Sequence, residues 1–174
     1  MCNCLKALKS LYNNVKLFVR LNGELGCSIK SDIGVKQGDP LSPLLFGILI
    51  DRIEGFLRKN CPEIGVRLGT LIIQVLLYAD DLAIMANSAA EMQTLLDTLK
   101  DFCDLSGLQV NIKKTEVVIY NGTFATQHDK VVLLTFNGES LVIKDSFTYL
   151  GTTLADRIIP QEDGSCIQTQ LQQM

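Results

Sequence analysis

Asp80 and Asp81 stand side by side between two apolar runs, Val75-Leu76-Leu77 and Leu82-Ala83-Ile84-Met85. Adjacent carboxylates repel each other, and Asp is a poor strand residue. The flanking runs have the length and composition of two strands that must be buried. The pair therefore belongs at the tip of a hairpin, at the exposed rim of a rigid support. A divalent cation is the natural partner for such a pair. Mg²⁺ takes one or two carboxylates and completes its shell with phosphate oxygens and water. Two such ions about 3.5–4 Å apart can activate a hydroxyl nucleophile and stabilise the leaving oxygens of a phosphoryl transfer. Taken alone, an Asp-Asp pair reads more readily as a solvated polar turn.

The elements that must position the pair can be read on either side of it. Residues 4–13 place Leu5, Leu8, Leu11 and Tyr12 at helical spacing. Val15 to Leu21 alternates in the manner of a strand, Asn22-Gly23 is a hairpin turn signal, and the return strand falls near Gly26 to Lys30. Gly34 to Pro43 (GVKQGDPLSP) is a loop punctuated by Gly and Pro. Ser42-Pro43 then opens a helix expected to run to Lys59, with Ser42 as its capping hydroxyl and Pro43 at its first position. Val66 to Leu68 and Leu71 to Tyr78 read as strands, with Leu82 to Ala86 completing the hairpin. Ser88-x-x-Glu91 is a capping box, and Gly107 after Ser106 is a helix stop. Val117 to Tyr120 is a further strand, residues 121–130 a polar loop, and short strands follow near 131–136, 140–143 and 147–150. The expected organisation is one domain over residues 1–156 and a polar, Gln-rich, disordered tail over 157–174. Hairpins mixed with helices, without repeated β-α-β units, argue for an α+β fold.

The bulk properties constrain the partners. The chain has 174 residues, 47% of them hydrophobic, which suits one ordered domain. Sixteen basic residues face 19 acidic ones, a formal charge of -3. A nucleic-acid binder ordinarily carries a basic footprint, because neutralising phosphates releases counterions. Either the partner is not nucleic acid or the basic parts lie outside this chain. The six cysteines form no C-x-x-C pair, Cys2-Asn3-Cys4 is too tightly spaced for a zinc knuckle, and His128 is the single histidine. They read as ordinary buried thiols, and His128 as a loop residue without a function. No secretory signal opens the chain, and Leu71 to Leu77 is too short to cross a membrane. A soluble, intracellular protein of the nucleus or cytoplasm is expected, with no membrane partner.

Four segments, in order, resemble the reverse transcriptase domain of non-LTR (LINE-type) retrotransposons. They are Gly34-Val35-Lys36-Gln37-Gly38-Asp39-Pro40-Leu41-Ser42-Pro43, Leu77-Tyr78-Ala79-Asp80-Asp81, Gly107-Leu108-Gln109-Val110-Asn111 with Lys113-Lys114-Thr115, and Phe147-Thr148-Tyr149-Leu150-Gly151. The resemblance runs from about residue 5 to 155. It implies a polymerase palm, an antiparallel sheet with a catalytic β-hairpin packed on helices. It implies RNA-directed DNA polymerase activity, extending a primer 3′-hydroxyl with two Mg²⁺ (or Mn²⁺) ions, and an RNA template, a DNA primer and a deoxynucleoside triphosphate as partners. Asp80 would be a metal ligand, with Asp81 a ligand or its support. Tyr78 would lie under the primer terminus or incoming nucleotide, and Gln37 and Gly38 would approach template and nucleotide. Lys114 would orient or protonate the pyrophosphate leaving group, with Lys113 as its rival, and Tyr149, Leu150 and Gly151 would grip the primer. Asp39 stands where many relatives carry a small residue and is assigned no chemistry.

The resemblance also implies a third carboxylate, on a strand several dozen residues before Gly34. The acidic residues before Gly34 are Glu24 and Asp32, and neither has that context. The chain therefore reads as a partial palm without the start of the fingers and without the thumb, from a longer polyprotein or a decayed element. The alternative function is a catalytically inactive remnant that at most binds nucleic acid or a partner. Loss of the strand bearing the third carboxylate would also leave an apolar sheet edge at Leu71 to Leu77 and favour association.

Overall fold

The computed structural model describes residues 3–13, 15–31, 34–120, 133–155 and 166–172. The expected polar loop over 121–130, with His128, lies outside the described residues. The chain divides into two units, residues 1–47 and 48–174.

The first unit opens with helix α1 (Asn3–Tyr12), followed by strands β1 (Val15–Leu21) and β2 (Glu24–Ser31). Asn22 and Gly23 both have positive φ, 50° and 89°, the signature of the type I′ turn that the Asn-Gly pair calls for. The two strands pair antiparallel from Val15↔Ser31 to Leu21↔Glu24, with an irregularity between Phe18 and Arg20. Helix α1 buries none of its residues, so its leucines line no core. Helix α2 (Ser42–Ile50) then leads into the second unit. The single helix expected from Pro43 to Lys59 is two helices. It breaks at Asp51, and α3 runs from Arg52 to Asn60.

The second unit is built on a five-stranded sheet and helix α4 (Ala89–Ser106). Its strands are β3 (Val66–Leu68), β4 (Leu71–Ile73), β5 (Val75–Tyr78), β6 (Asp81–Ala86), β7 (Glu116–Tyr120), β8 (Thr135–Phe136), β9 (Glu139–Ser140), β10 (Val142–Lys144), β11 (Ser146–Tyr149), β12 (Thr152–Ala155) and β13 (Cys166–Gln172). The sheet order is β10-β7-β13-β6-β5, and β3-β4, β8-β9 and β11-β12 form separate two-stranded ladders. The sheet is mixed rather than purely antiparallel, because β10 runs parallel to β7. Strand β13 pairs antiparallel with both β6 and β7. Residues 166–172 are thus a strand inside the sheet, where a disordered tail was expected.

Helix α4 obeys its end signals. The Ser88 hydroxyl accepts the Glu91 N–H, the Glu91 carboxylate accepts the Asn87 N–H, and Gly107 closes the helix at φ 71°. Its apolar face buries Met92, Leu95, Leu96, Leu99, Phe102 and Cys103. Ile53 and Leu57 of α3 are fully buried, and Phe56 meets Phe102 edge to face at 5.4 Å between ring centroids. Every residue from Leu82 to Ala86 is buried, so both faces of β6 are covered.

The strand expected over Leu71 to Tyr78 is interrupted by Gln74, which is buried and separates β4 from β5. Its side-chain amide donates to the carbonyls of Cys61 and Ile64 and ties the end of α3 to the hairpin. Gly65 (φ 131°) lets that loop come close. A Cβ there would lie 2.7 Å from the Ile73 carbonyl oxygen.

Candidate active site

The register Val75↔Ile84, Leu76↔Ala83, Leu77↔Leu82, Tyr78↔Asp81 leaves Ala79 and Asp80 as a two-residue turn. Of those two residues only Ala79 has a positive φ, 52°, the sign pattern of a type II′ turn. Position one of that turn favours glycine, and an L-residue there costs about 1–2 kcal/mol. The buried strand β6, paired with β5 and anchored there by buried Val75, holds it in that conformation. The result is a fixed tip with Asp80 in the turn, Asp81 opening β6, both half-buried, and Tyr78 exposed.

A second hairpin stands by the first. β11 and β12 pair from Ser146↔Ala155 to Tyr149↔Thr152. Their turn, Leu150-Gly151, has φ values of 49° and 80°, again type I′. Burial holds the Tyr149 hydroxyl above its ordinary pKa, and the negative charge of Asp81 adds to the effect. Two residues 68 positions apart in the chain are thereby within electrostatic reach of each other.

Lys114 ends a 3-10 turn (Ile112–Lys114) that feeds β7. Thr115, 1% exposed, anchors this turn, since its hydroxyl donates to the Asn111 carbonyl at 3.0 Å. Strand β13 pairs Gln172 with Asp81 and Gln170 with Glu116. Lys114, two residues before Glu116, thus lies at the same end of the sheet as Asp81. Lys113 and Lys114 are both exposed.

Gln37 and Gly38 belong to the first unit, and both are exposed. Gly38 has φ 80°, a conformation that suits glycine. The loop around them is tied down by residues that sequence reasoning passed over. The Asp39 carboxylate accepts the Leu41 N–H at 3.0 Å and the Tyr12 hydroxyl at 2.9 Å. Those two bonds, the Leu41 N–H first, lower its pKa below the usual carboxylate value, and the Lys36 charge adds to them against the opposing effect of burial. Lys36 donates to the Leu11 carbonyl and lies over the Tyr12 ring, 5.3 Å from its centroid. The buried Ser42 hydroxyl donates to the Lys36 carbonyl at 2.6 Å, so it braces the loop and does not act as the expected cap. Asp39, assigned no chemistry, is the hub of this network. Its i to i+2 bond to Leu41 is an Asx turn, a signal present in the sequence.

Among the described residues no group of three or more His, Cys, Asp or Glu side chains is placed to hold a metal. Asp80 and Asp81 therefore stand as a pair. Two half-open carboxylates still suit a hard cation that takes its other oxygens from water and phosphate. Among the described residues no helix is long and apolar enough to cross a membrane.

The chain is similar to several retrotransposon proteins. It is 43% identical over 89 residues to the Retrovirus-related Pol polyprotein from type-2 retrotransposable element R2DM of Drosophila melanogaster, a match covering 51% of this chain and 8% of that protein. It is 42% identical over 82 residues to the Retrovirus-related Pol polyprotein from type-1 retrotransposable element R2 of Popillia japonica, covering 47% of this chain and 11% of that one. A weaker likeness, 24% over 153 residues, joins 88% of the chain to 11% of the Transposon TX1 uncharacterized 149 kDa protein of Xenopus laevis. The chain spans about a tenth of the length of these curated relatives. Residues 2–154 match the family model described as Reverse transcriptase (RNA-dependent DNA polymerase). With 153 of its 174 residues in that match, the chain belongs to the reverse transcriptase family.

Proposed function

We propose that the chain is palm-type sequence of a retrotransposon reverse transcriptase, acting in nucleotidyl transfer to a primer 3′-hydroxyl on an RNA template. The observation that carries the reading is the Ala79-Asp80 turn, which sets Asp80 and Asp81 at the tip of the β5–β6 hairpin in a chain of this family. Asp80 and Asp81 would hold the divalent cation, Mg²⁺ or Mn²⁺. When bound, that ion lowers the pKa of the primer hydroxyl and neutralises charge on the leaving phosphate. The Tyr149-Leu150-Gly151 turn would seat the primer backbone, and exposed Tyr78 would support its terminus. Gln37 and Gly38 would face template and nucleotide, and Lys114 would supply a proton or positive charge to the pyrophosphate. Primer extension on an RNA template tests this, using the polypeptide extended upstream as in its longer relatives. Activity is expected for the native sequence and its loss for Asp80→Asn, and full activity in Asp80→Asn would refute the role.

For the 174 residues by themselves a second reading has its own support: among the described residues the pair has no third carboxylate. On that reading the isolated chain binds nucleic acid and does not polymerise. Template-dependent incorporation by the purified chain, abolished by Asp80→Asn, would overturn it.

A further inference from the structure

The hairpin β1–β2 is exposed on both sides, and its two sides differ in chemistry. Residues paired across an antiparallel ladder share a face, and neighbours along a strand alternate faces. The register Lys16↔Lys30, Phe18↔Ser28, Arg20↔Leu25 therefore collects three cations, an aromatic ring, Leu25 and Ser28 on one face. Phe18 is 53% exposed there, and none of the six residues named is acidic. The opposite face carries Leu17, Val19, Leu21 and Ile29, with Glu24 at the tip. Charge is divided the same way on a larger scale. Residues 1–47 hold six of the 16 basic and three of the 19 acidic residues, a balance of +3, which leaves -6 for residues 48–174. A net charge of -3 thus conceals a basic unit.

We infer that the Lys16-Phe18-Arg20-Lys30 face of the β1–β2 hairpin is a binding surface for single-stranded RNA. The argument is charge complementarity joined to stacking. Cations track a phosphate backbone, and an exposed aromatic between them accepts a base on its ring without reading its identity. Lys16 and Arg20 are four residues apart on one strand, about 13 Å at the usual rise. Phe18 lies between them, in the order phosphate, base, phosphate. The choice of RNA over other polyanions rests on the reverse transcriptase reading, in which the template is RNA. The surface itself does not depend on Asp80 or Asp81.

The test is fluorescence anisotropy of a labelled oligouridylate 12-mer with the full 174-residue chain between 50 and 200 mM salt. Lys16→Gln/Arg20→Gln is expected to weaken binding about tenfold or more at 50 mM. It should also flatten the log-log salt slope by about 1.4, from about 0.7 per single-strand phosphate contact. Phe18→Ala is expected to cost about fivefold with the slope unchanged. Lys59→Gln/Arg67→Gln on the second unit should bind like the parent chain. All these substituted side chains are exposed, and circular dichroism checks that the fold is kept. Several results would overturn the inference: no binding by the parent chain at 50 mM, unchanged affinity in both hairpin variants, or an equal loss in Lys59→Gln/Arg67→Gln. So would hairpin dependence seen with deoxythymidylate alone, or a Phe18→Ala effect confined to self-association. Asp80→Asn tests the proposed function through polymerisation and the hairpin variants test this inference through RNA affinity, so the two proposals fail separately.

Discussion

Gln74 ties the end of α3 to the β5–β6 hairpin, and replacing it gives a sharp test of that support. Its amide nitrogen donates to two backbone carbonyls, of Cys61 and Ile64, and its side chain is 5% exposed. Gln74→Met keeps the length and shape and removes both donors. The Ile64 oxygen loses its side-chain donor at a cost of about 1 kcal/mol, and the Cys61 oxygen, which keeps the Ile64 N–H at 3.3 Å, loses less than about 1 kcal/mol. The sum is about 1–2 kcal/mol. In a chain of this size that lowers the thermal midpoint by about 2–8 °C. Urea and thermal melts by circular dichroism read it directly. Gln74→Glu should be worse at neutral pH, because a carboxylate would face two carbonyl oxygens. Burial raises the pKa of such a carboxyl, so the penalty should shrink as the pH falls towards 5 and the acid regains one donor. A Met variant within 0.5 kcal/mol of the parent, or a Glu variant indifferent to pH (about the error of such melts), would refute the account.

Four other outcomes follow from the geometry. Gly65→Ala would place a methyl 2.7 Å from the Ile73 carbonyl oxygen at a φ of 131°, and a loss of at least about 2 kcal/mol in urea midpoint analysis is expected. Tyr149 should titrate above ordinary tyrosine in an absorbance titration, and Asp81→Asn should bring it part of the way back; an unmoved curve would separate the two hairpins. Because its folded pKa is raised, whatever stability Tyr149 contributes is present below pH 10 and declines as the pH climbs through the folded value. Burial likewise pushes the Cys103 thiol up to about 11, so at pH 8 iodoacetamide should label Cys4 and Cys27 well before Cys103, and stability should decline between about pH 9 and 11, as mass spectrometry and melts would show. Asp39 runs the other way: its pKa is depressed, so the bracing of the 34–42 loop holds at neutral pH and is lost as the pH falls below about 3.8, which protease nicking of that loop would report.

What could be read from the sequence was local. The Asp80-Asp81 turn, the Asn22-Gly23 hairpin and both ends of α4 follow from side chains within four residues of one another, and the structure has them. The break at Asp51 was hidden because Pro43 to Lys59 keeps apolar residues at helical spacing across it. Gln74 looked like a polar intrusion in a strand, since its partners, Cys61 and Ile64, lie more than nine residues away. Asp39 looked inert for the same reason, its partner Tyr12 being 27 positions earlier. The approach of Tyr149 to Asp81 and the entry of Cys166–Gln172 into the sheet are long-range events that no window of sequence displays. The helix-spaced leucines of α1 marked a helix that is present, although none of its residues is buried.

The place of β13 bears on how this unit comes to exist in time. The β5–β6 hairpin closes over two residues, and α4 follows it at once, so both can form while the chain is short. The ladder between β6 and β13 joins Asp81 to Gln172, 91 positions apart, and β13 is also what connects β6 to β7. Closure of so long a loop carries a high entropic cost and a slow rate. The carboxylate hairpin is therefore among the first structures to form, and the sheet that immobilises it is among the last. Between the two events β6 carries an open edge, and the unit passes through a stage in which its Asp80-Asp81 tip is shaped and its scaffold is not.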